Sequence, residues 1–169
     1  MIQPLIAPEA IARRIQTVAA ELDLLYAGKE LVIVMILKGS FILVADLMRA
    51  LKTPTQVEAI TASSYGARGT ARGELTLTGL ERLEIRGRHL LLVDDIFDSG
   101  HTLATVSERL QEGNPASLRT LVLLKKKRPR DVPFLPDHIL FEVEDQFVVG
   151  YGLDFKEQYR GLPGIGVIK

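Results

Sequence analysis

The sequence predicts an α/β protein: a twisted parallel sheet flanked by helices, with a small hood over the carboxyl ends of the strands. Three observations lead there. A continuous apolar run rich in β-branched residues fills residues 31–37, and apolar-rich stretches recur at 89–93 and 118–124. They are too short for typical helices and suit strands buried on both faces. Stretches with helical apolar spacing alternate with them, the pattern of a parallel sheet. From about residue 129 the chain changes to short apolar pieces broken by prolines and glycines, which suits a cover better than another layer.

The elements follow in order. Residues 8–26 predict a helix, because Pro8 suits its first position and Ile11, Ile15, Val18, Leu22 and Leu25 share one face. Gly28 is a natural stop. Residues 31–37 form a buried strand and Lys38-Gly39-Ser40 a turn. A helix then runs from Phe41 to about Leu51, and Pro54 bars its continuation. Residues 57–65 read as a strand. The next segment, 66–73, has three glycines and no apolar periodicity, so it reads as mobile. Residues 74–78 alternate and return as a short strand. Residues 89–93 are a strand and 101–112 its helix, with Leu103, Val106 and Leu110 on one face. Residues 113–115 make a turn, and 118–124 another buried strand. Short strands are expected at 139–143 and 147–150.

At 169 residues one domain is expected. Its core spans about 28–128, and its hood comes from the N-terminal segment and about 129–169. Lysine plus arginine equal aspartate plus glutamate, 21 each, which argues against a general nucleic-acid or membrane-surface role. Without cysteine there is no disulfide, thiolate metal site or thiol nucleophile. No apolar stretch approaches membrane-spanning length and no secretory leader is visible, so a cytoplasmic protein is expected.

The most informative segment is Leu90-Leu91-Leu92-Val93-Asp94-Asp95-Ile96-Phe97-Asp98-Ser99-Gly100-His101-Thr102. An apolar run stops at paired carboxylates, a third follows, and a hydroxyl–glycine–hydroxyl loop leads into a helix. In open α/β sheets ligands bind at that junction. Unpaired N–H groups at the helix start favour an anion. Ser99 and Thr102 add hydroxyls, and Gly100 permits close approach. The carboxylates suit sugar hydroxyls or a hard cation such as Mg²⁺. Read blandly, the loop is a helix cap, which accounts for one hydroxyl but not for three carboxylates.

This segment resembles the phosphoribosyl-pyrophosphate signature of type I phosphoribosyltransferases. The resemblance extends from about Leu31 to the C-terminus, and its later motifs are similar to those of the hypoxanthine-guanine members. It implies their fold, with Ser99, Gly100, His101 and Thr102 around the 5′-phosphate. Asp94 and Asp95 would face the ribose or Mg²⁺, and Asp98 would be the general base at the purine. The family usually carries glutamate where Asp94 stands, and Phe97 and His101 are also less usual choices. Whether His101 donates to phosphate or points to solvent stays open.

Other pieces fit the same resemblance. Lys38 and Gly39 would contact pyrophosphate, in a loop that sometimes contains a non-proline cis peptide; Leu37–Lys38 is the bond in question. Ser64 and Tyr65 would open a catalytic lid that excludes water. In the basic run Lys125-Lys126-Lys127-Arg128-Pro129-Arg130, Lys126 matches the lysine that donates to the purine 6-oxygen. Phe147 would stack on the base and the Val148 backbone would read its edge. Asp154 would lie near a second metal, so that Asp94, Asp95 and Asp154 form the metal set. Arg160 matches the arginine that holds pyrophosphate. Without the resemblance, Phe147 is a core aromatic, Asp154 a helix cap, Arg160 a surface residue and the basic run a solvated face.

The implied reaction is transfer of phosphoribose from phosphoribosyl pyrophosphate to N9 of hypoxanthine or guanine, in a homodimer or homotetramer, with no nucleic acid or membrane involved. Two alternatives stay open at this level. One is transfer to another base, such as xanthine. The other is a nucleic-acid-binding regulator on the same fold, for which the basic run would be the contact.

Overall fold

The computed structural model describes residues 1–64 and 74–169. Its main body is a six-stranded sheet. Strands β2 (Leu31–Leu37), β3 (Thr55–Ser64), β4 (Leu75–Thr78), β5 (His89–Phe97), β6 (Ser117–Lys127) and β7 (His138–Glu144) lie in the order β4-β3-β2-β5-β6-β7. All neighbouring pairs are parallel except β3–β4, where the chain returns antiparallel at the edge. The sheet is therefore mixed. Helices α1 (Pro8–Leu25) and α2 (Phe41–Ala50) cover one face, and α3 (His101–Gln111) covers the other.

Burial follows the alternation of a strand sandwiched between helices. Leu31, Ile33, Leu91, Val93, Leu121 and Leu123 pack with Ile11, Ile15, Leu22, Leu43 and Leu47 of α1 and α2. Val32, Val34, Leu90, Leu92 and Val122 pack with Leu103, Val106 and Leu110 of α3. Pro8 opens α1 as expected, and its chain leaves through Gly28 at a φ of 72°.

A second sheet of three short antiparallel strands has the order β1-β9-β8, from β1 (Ile2–Ile6), β8 (Val148–Val149) and β9 (Ile165–Ile168). The loop between β8 and β9 folds on itself. Gly150, Tyr151 and Gly152 have φ values of 101°, 50° and 100°, and the N–H groups of Tyr151 and Gly152 donate to Leu162 and Arg160. This places the loop over the carboxyl ends of the main strands: a side chain at Gly152 would overlap the Gly39 carbonyl.

Several sequence expectations change here. The hood does not begin at residue 129, because His138–Glu144 pairs in parallel with β6 as the edge of the main sheet. Alternation in that short segment does not reveal which sheet receives it. Strand β5 continues four residues past Val93, and β6 continues through Lys127. Asp94, Asp95 and the three lysines are thus strand residues, held by the ladder rather than by a loop. Strands β1 and β9 carried no clear signal. No helix follows Asp154, since Lys156, Glu157 and Tyr159 all have positive φ. The Asp154 carboxylate does accept the Glu157 N–H at 2.8 Å, so the cap-like bond forms in a turn.

Candidate active site

Strand order decides where the site lies. The parallel strands run β3-β2-β5-β6-β7, so the connections leave β2 toward one side and β5 toward the other. That reversal opens a crevice between the carboxyl ends of β2 and β5, the usual ligand position in such sheets. A cleft of about 360 Å³ is found there. It is lined by Lys38, Gly39, Asp94, Asp95, Asp98, Ser99, Gly100, Thr102, Asp154 and Arg160. Ten of the sixteen sequence-selected residues therefore meet in one place.

The α3 end is built for an anion. Gly100 sits just before the helix with a φ of 88°, and no side chain caps it. The His101 N–H reaches back to the Ser99 hydroxyl at 3.4 Å, and the next N–H groups of the first turn keep their donors for a ligand, with the helix dipole behind them. A side chain at Gly100 would press on the Phe97 ring. Arg130 holds the same loop from behind. Its guanidinium lies 4.6 Å from the Phe97 ring centre and donates to the carbonyls of Asp98 (2.8 Å), Phe97 (3.2 Å) and Lys126. Arg130 was hidden in the sequence as one of five cations in a row of six residues.

Asp94 and Asp95 end the buried part of β5. Asp94 is 9% exposed. Burial, and then the neighbouring Asp95 charge, push its carboxyl well above the usual carboxylate range. Burial raises Asp95 as well, against hydrogen bonds that lower it. Asp95 also faces Gly39, where any side chain would overlap its carboxylate. Gly39 is therefore held between Asp95 on one side and Gly152 on the other. The Leu37–Lys38 peptide just before it is cis. Ser40 is buried and turns its hydroxyl back to the Ile36 carbonyl at 2.6 Å.

Asp98 is 40% exposed, not buried, and it is engaged by cations. Lys126 Nζ lies 3.2 Å away and an Arg128 nitrogen 2.7 Å away. Lys126, only 12% exposed, also pairs with Asp145 at 3.3 Å. The rest of the basic run is similarly occupied. Lys125 pairs with Glu142 and Lys127 with Glu144 across the β6–β7 register. Each lysine of the run, and Arg128, therefore has an acidic partner. Arg128 and Asp145 carried no signal in the sequence that separated them from surface charge.

Above these, Phe147 stands 52% exposed, with its ring edge-on to Phe155 at 5.5 Å between centres. Val148 is buried in β8 opposite Val167. Arg160 donates to the Gly152 carbonyl at 2.7 Å and pairs with Asp154 and Glu157, each at 3.1 Å. Lys38 reaches the other oxygen of Glu157 at 2.8 Å. Asp154 therefore turns to Arg160, and among the described residues no three acidic or histidine side chains converge on a metal position. Ser64 and His101 line a neighbouring cavity of about 620 Å³, on the β4 side of the phosphate loop. His101 pairs with Asp131 at 3.2 Å. Tyr65 and the lid expected over 66–73 lie outside the described residues.

An open α/β sheet with a helix start, paired carboxylates and facing cations at its strand-end crevice is the arrangement of a ligand-binding α/β protein with an anion position beside carboxylates. The comparisons narrow this class. Residues 5–156 match the family model described as the phosphoribosyl transferase domain. The hypoxanthine phosphoribosyltransferase of Haemophilus influenzae is 37% identical over 97% of this chain and 93% of its own. The hypoxanthine-guanine phosphoribosyltransferase of Aquifex aeolicus is 40% identical over 98% and 93%. Among solved structures, a ternary substrate complex of the Trypanosoma cruzi hypoxanthine phosphoribosyltransferase superposes with a TM-score of 0.92 at 38% identity, covering 99% of this chain and 95% of that one. The chain belongs to the phosphoribosyltransferase family, within its hypoxanthine and hypoxanthine-guanine branch.

Proposed function

We propose that this protein transfers the phosphoribosyl group of phosphoribosyl pyrophosphate to N9 of hypoxanthine, and of guanine, releasing pyrophosphate. The observation that carries the reading is the cleft between β2 and β5. It combines an uncapped helix start, two strand-end carboxylates and two facing cations, Lys38 and Arg160. The 5′-phosphate would bind the N–H groups and hydroxyls of residues 98–102. Asp94 and Asp95 would accept from the ribose hydroxyls. Lys38, Gly39 and Arg160 would hold the leaving pyrophosphate, where a planar guanidinium can donate twice.

Magnesium fits this donor set. Two adjacent carboxyls that burial holds above their usual range, Asp94 further raised by the Asp95 charge, are relieved by a dication. A hard cation that takes one or two protein carboxylates and completes its shell from substrate oxygens needs no larger cage. Asp94 and Asp95 would hold it, and it would neutralise charge on the departing pyrophosphate. Asp154, drawn to Arg160, would bear on the metal through that neighbour.

The purine would stack on the half-exposed Phe147 ring, with Val148 backbone groups along its edge and Lys126 donating to the 6-oxygen. Asp98 would take the proton from the purine ring. In the free protein its carboxylate belongs to Lys126 and Arg128, so base binding must redirect Lys126 before Asp98 can act. The chemistry needs no covalent nucleophile; the residues position both reactants and exclude water. Phe41 and Met48, exposed one above the other on α2, support a homodimer or homotetramer, which sedimentation would show. No helix among the described residues is long and apolar enough to cross a membrane.

The test is a steady-state assay with phosphoribosyl pyrophosphate, Mg²⁺ and each of hypoxanthine, guanine, xanthine and adenine. Turnover of the first two that vanishes without Mg²⁺ is expected. Turnover of adenine alone, or of no base, would overturn the reading.

A further inference from the structure

The pair of cations assigned to pyrophosphate is not open. Glu157 bridges them, with one carboxylate oxygen 2.8 Å from Lys38 and the other 3.1 Å from Arg160. These two residues come from opposite walls of the cleft, the β2–α2 turn and the β8–β9 loop. Glu157 joins them from within the protein, through the two oxygens of one carboxylate. Its side chain is 64% exposed and stands at a turn position with a φ of 62°. It is therefore free to swing into solvent. Its backbone N–H is tied separately to Asp154, so the turn does not depend on the carboxylate.

We propose that Glu157 is a built-in competitor for the pyrophosphate position. Its carboxylate occupies Lys38 and Arg160 in the free protein and must leave before the diphosphate of the substrate binds, and it returns as the product pyrophosphate departs. The idea rests on the site reading given above. It goes further by naming a residue whose charge weakens the binding of a diphosphate rather than strengthening it. The physical reason is that a diphosphate held by both cations and a metal in a closed cleft dissociates slowly. A carboxylate on the same cations lowers that affinity, and its pair with Lys38, exposed on both sides, is weak enough to exchange. A merely structural Glu157, one that orients Lys38 and Arg160 for the ligand, predicts the opposite sign.

The experiment is calorimetric titration of the full chain with inorganic pyrophosphate in Mg²⁺ buffer, in wild type, Glu157→Gln and Arg160→Gln. Glu157→Gln should bind pyrophosphate about three- to tenfold more tightly, since the exposed pair with Lys38 alone is worth up to about one factor of five in affinity and the pair with Arg160 adds to it. The gain should shrink as salt rises. Binding of IMP, whose phosphate belongs at residues 98–102, should not change. In steady state, the KM for phosphoribosyl pyrophosphate should fall while that for the purine stays. Equal or weaker pyrophosphate binding in Glu157→Gln overturns the proposal. Arg160→Gln separates the two ideas: if it leaves pyrophosphate binding intact, the site assignment itself fails. If it weakens binding while Glu157→Gln does not strengthen it, only the competitor role fails.

Discussion

The two ends of the main sheet treat the same residue type in opposite ways. At the carboxyl end, Asp94 is buried beside Asp95 and its carboxyl is pushed well above the usual range. At the amino end, Asp23 on α1 accepts hydrogen bonds from the Lys52 N–H at 3.0 Å and from the Thr53 N–H and hydroxyl at 2.8 Å. Burial pushes Asp23 up, but the Thr53 and Lys52 donors outweigh it and hold the carboxyl below its ordinary value. Asp137 likewise accepts the Thr120 N–H at 2.8 Å and the Thr120 hydroxyl at 3.1 Å. One end uses its carboxylates to close the fold, while at the other the buried Asp94 and half-buried Asp95 have their next neighbours' backbone N–H groups as donors. A raised pair of this kind is expected where residues are arranged for binding rather than for stability.

The sharpest way to break this contrast is Asp98→Asn. The general-base role predicts a kcat loss of about 10²–10⁴-fold with a nearly unchanged melting temperature, because the side chain is 40% exposed. Steady-state turnover of hypoxanthine checks it, and near-normal turnover would remove the role. At the other end, Asp23→Ala should do the reverse. Leaving the Thr53 and Lys52 donors without their acceptor costs about 1–2 kcal/mol, a fall of about 2–8 °C in Tm for a chain this long. The kcat should be untouched. A loss of activity beyond that of stability would show that the two ends are coupled.

Asp94→Asn sharpens the same comparison through its sign. The folded pKa of Asp94 is raised above its unfolded value. Its contribution to stability is therefore fully present below the unfolded pKa and is lost as pH rises through the folded one. At pH 7 the raised carboxyl costs the fold stability relative to acid pH, so the amide should raise Tm there and should lose that advantage near pH 3. Catalysis should fall in the same variant. A lower Tm at pH 7 would mean that the carboxylate is stabilised by groups other than those described.

How much of this was legible in the sequence depended on whether the signal was local. Buried runs such as Leu31–Leu37 and the amphipathic spacing of α1 and α3 reveal their elements because one segment carries the whole pattern. The strand-end acids and the Ser99–Thr102 loop were legible for the same reason, since a helix start needs only consecutive residues. Strand limits were not. Asp94 and Asp95 looked like loop residues because charge interrupts the apolar run, yet the ladder with Val122 and Leu124 carries β5 past them. The small sheet joins Ile2 to Ile168, a pairing no local pattern announces. Arg130, Arg128 and Asp145 gain their roles only when β6, the phosphate loop and the β7 end meet. The spacing of Glu157 from Asp154 reads as a capping box, but its bridge between Lys38, 119 residues away, and Arg160 is announced by no local pattern.

The smallest effect tests the amino end alone. His138 opens β7, its side chain is 15% exposed, and its Nε2 is buried with no hydrogen-bond partner among the described residues. Burial lowers its pKa; Asp137 and Glu21 raise it, and Arg119 and Arg14 lower it. Since the folded pKa is depressed, the stability linked to His138 is present above the unfolded value of about 6.5. It is lost as pH falls through the folded pKa. Tm should decline modestly between pH 7 and pH 5, and His138→Gln should flatten that part of the profile without changing turnover at pH 7.5. A decline that survives the substitution would remove His138 as its source. The raised Asp94 and Asp95 carboxyls have the opposite sign, gaining stability as pH falls, so the remaining decline would belong to carboxylates held low, such as Asp23.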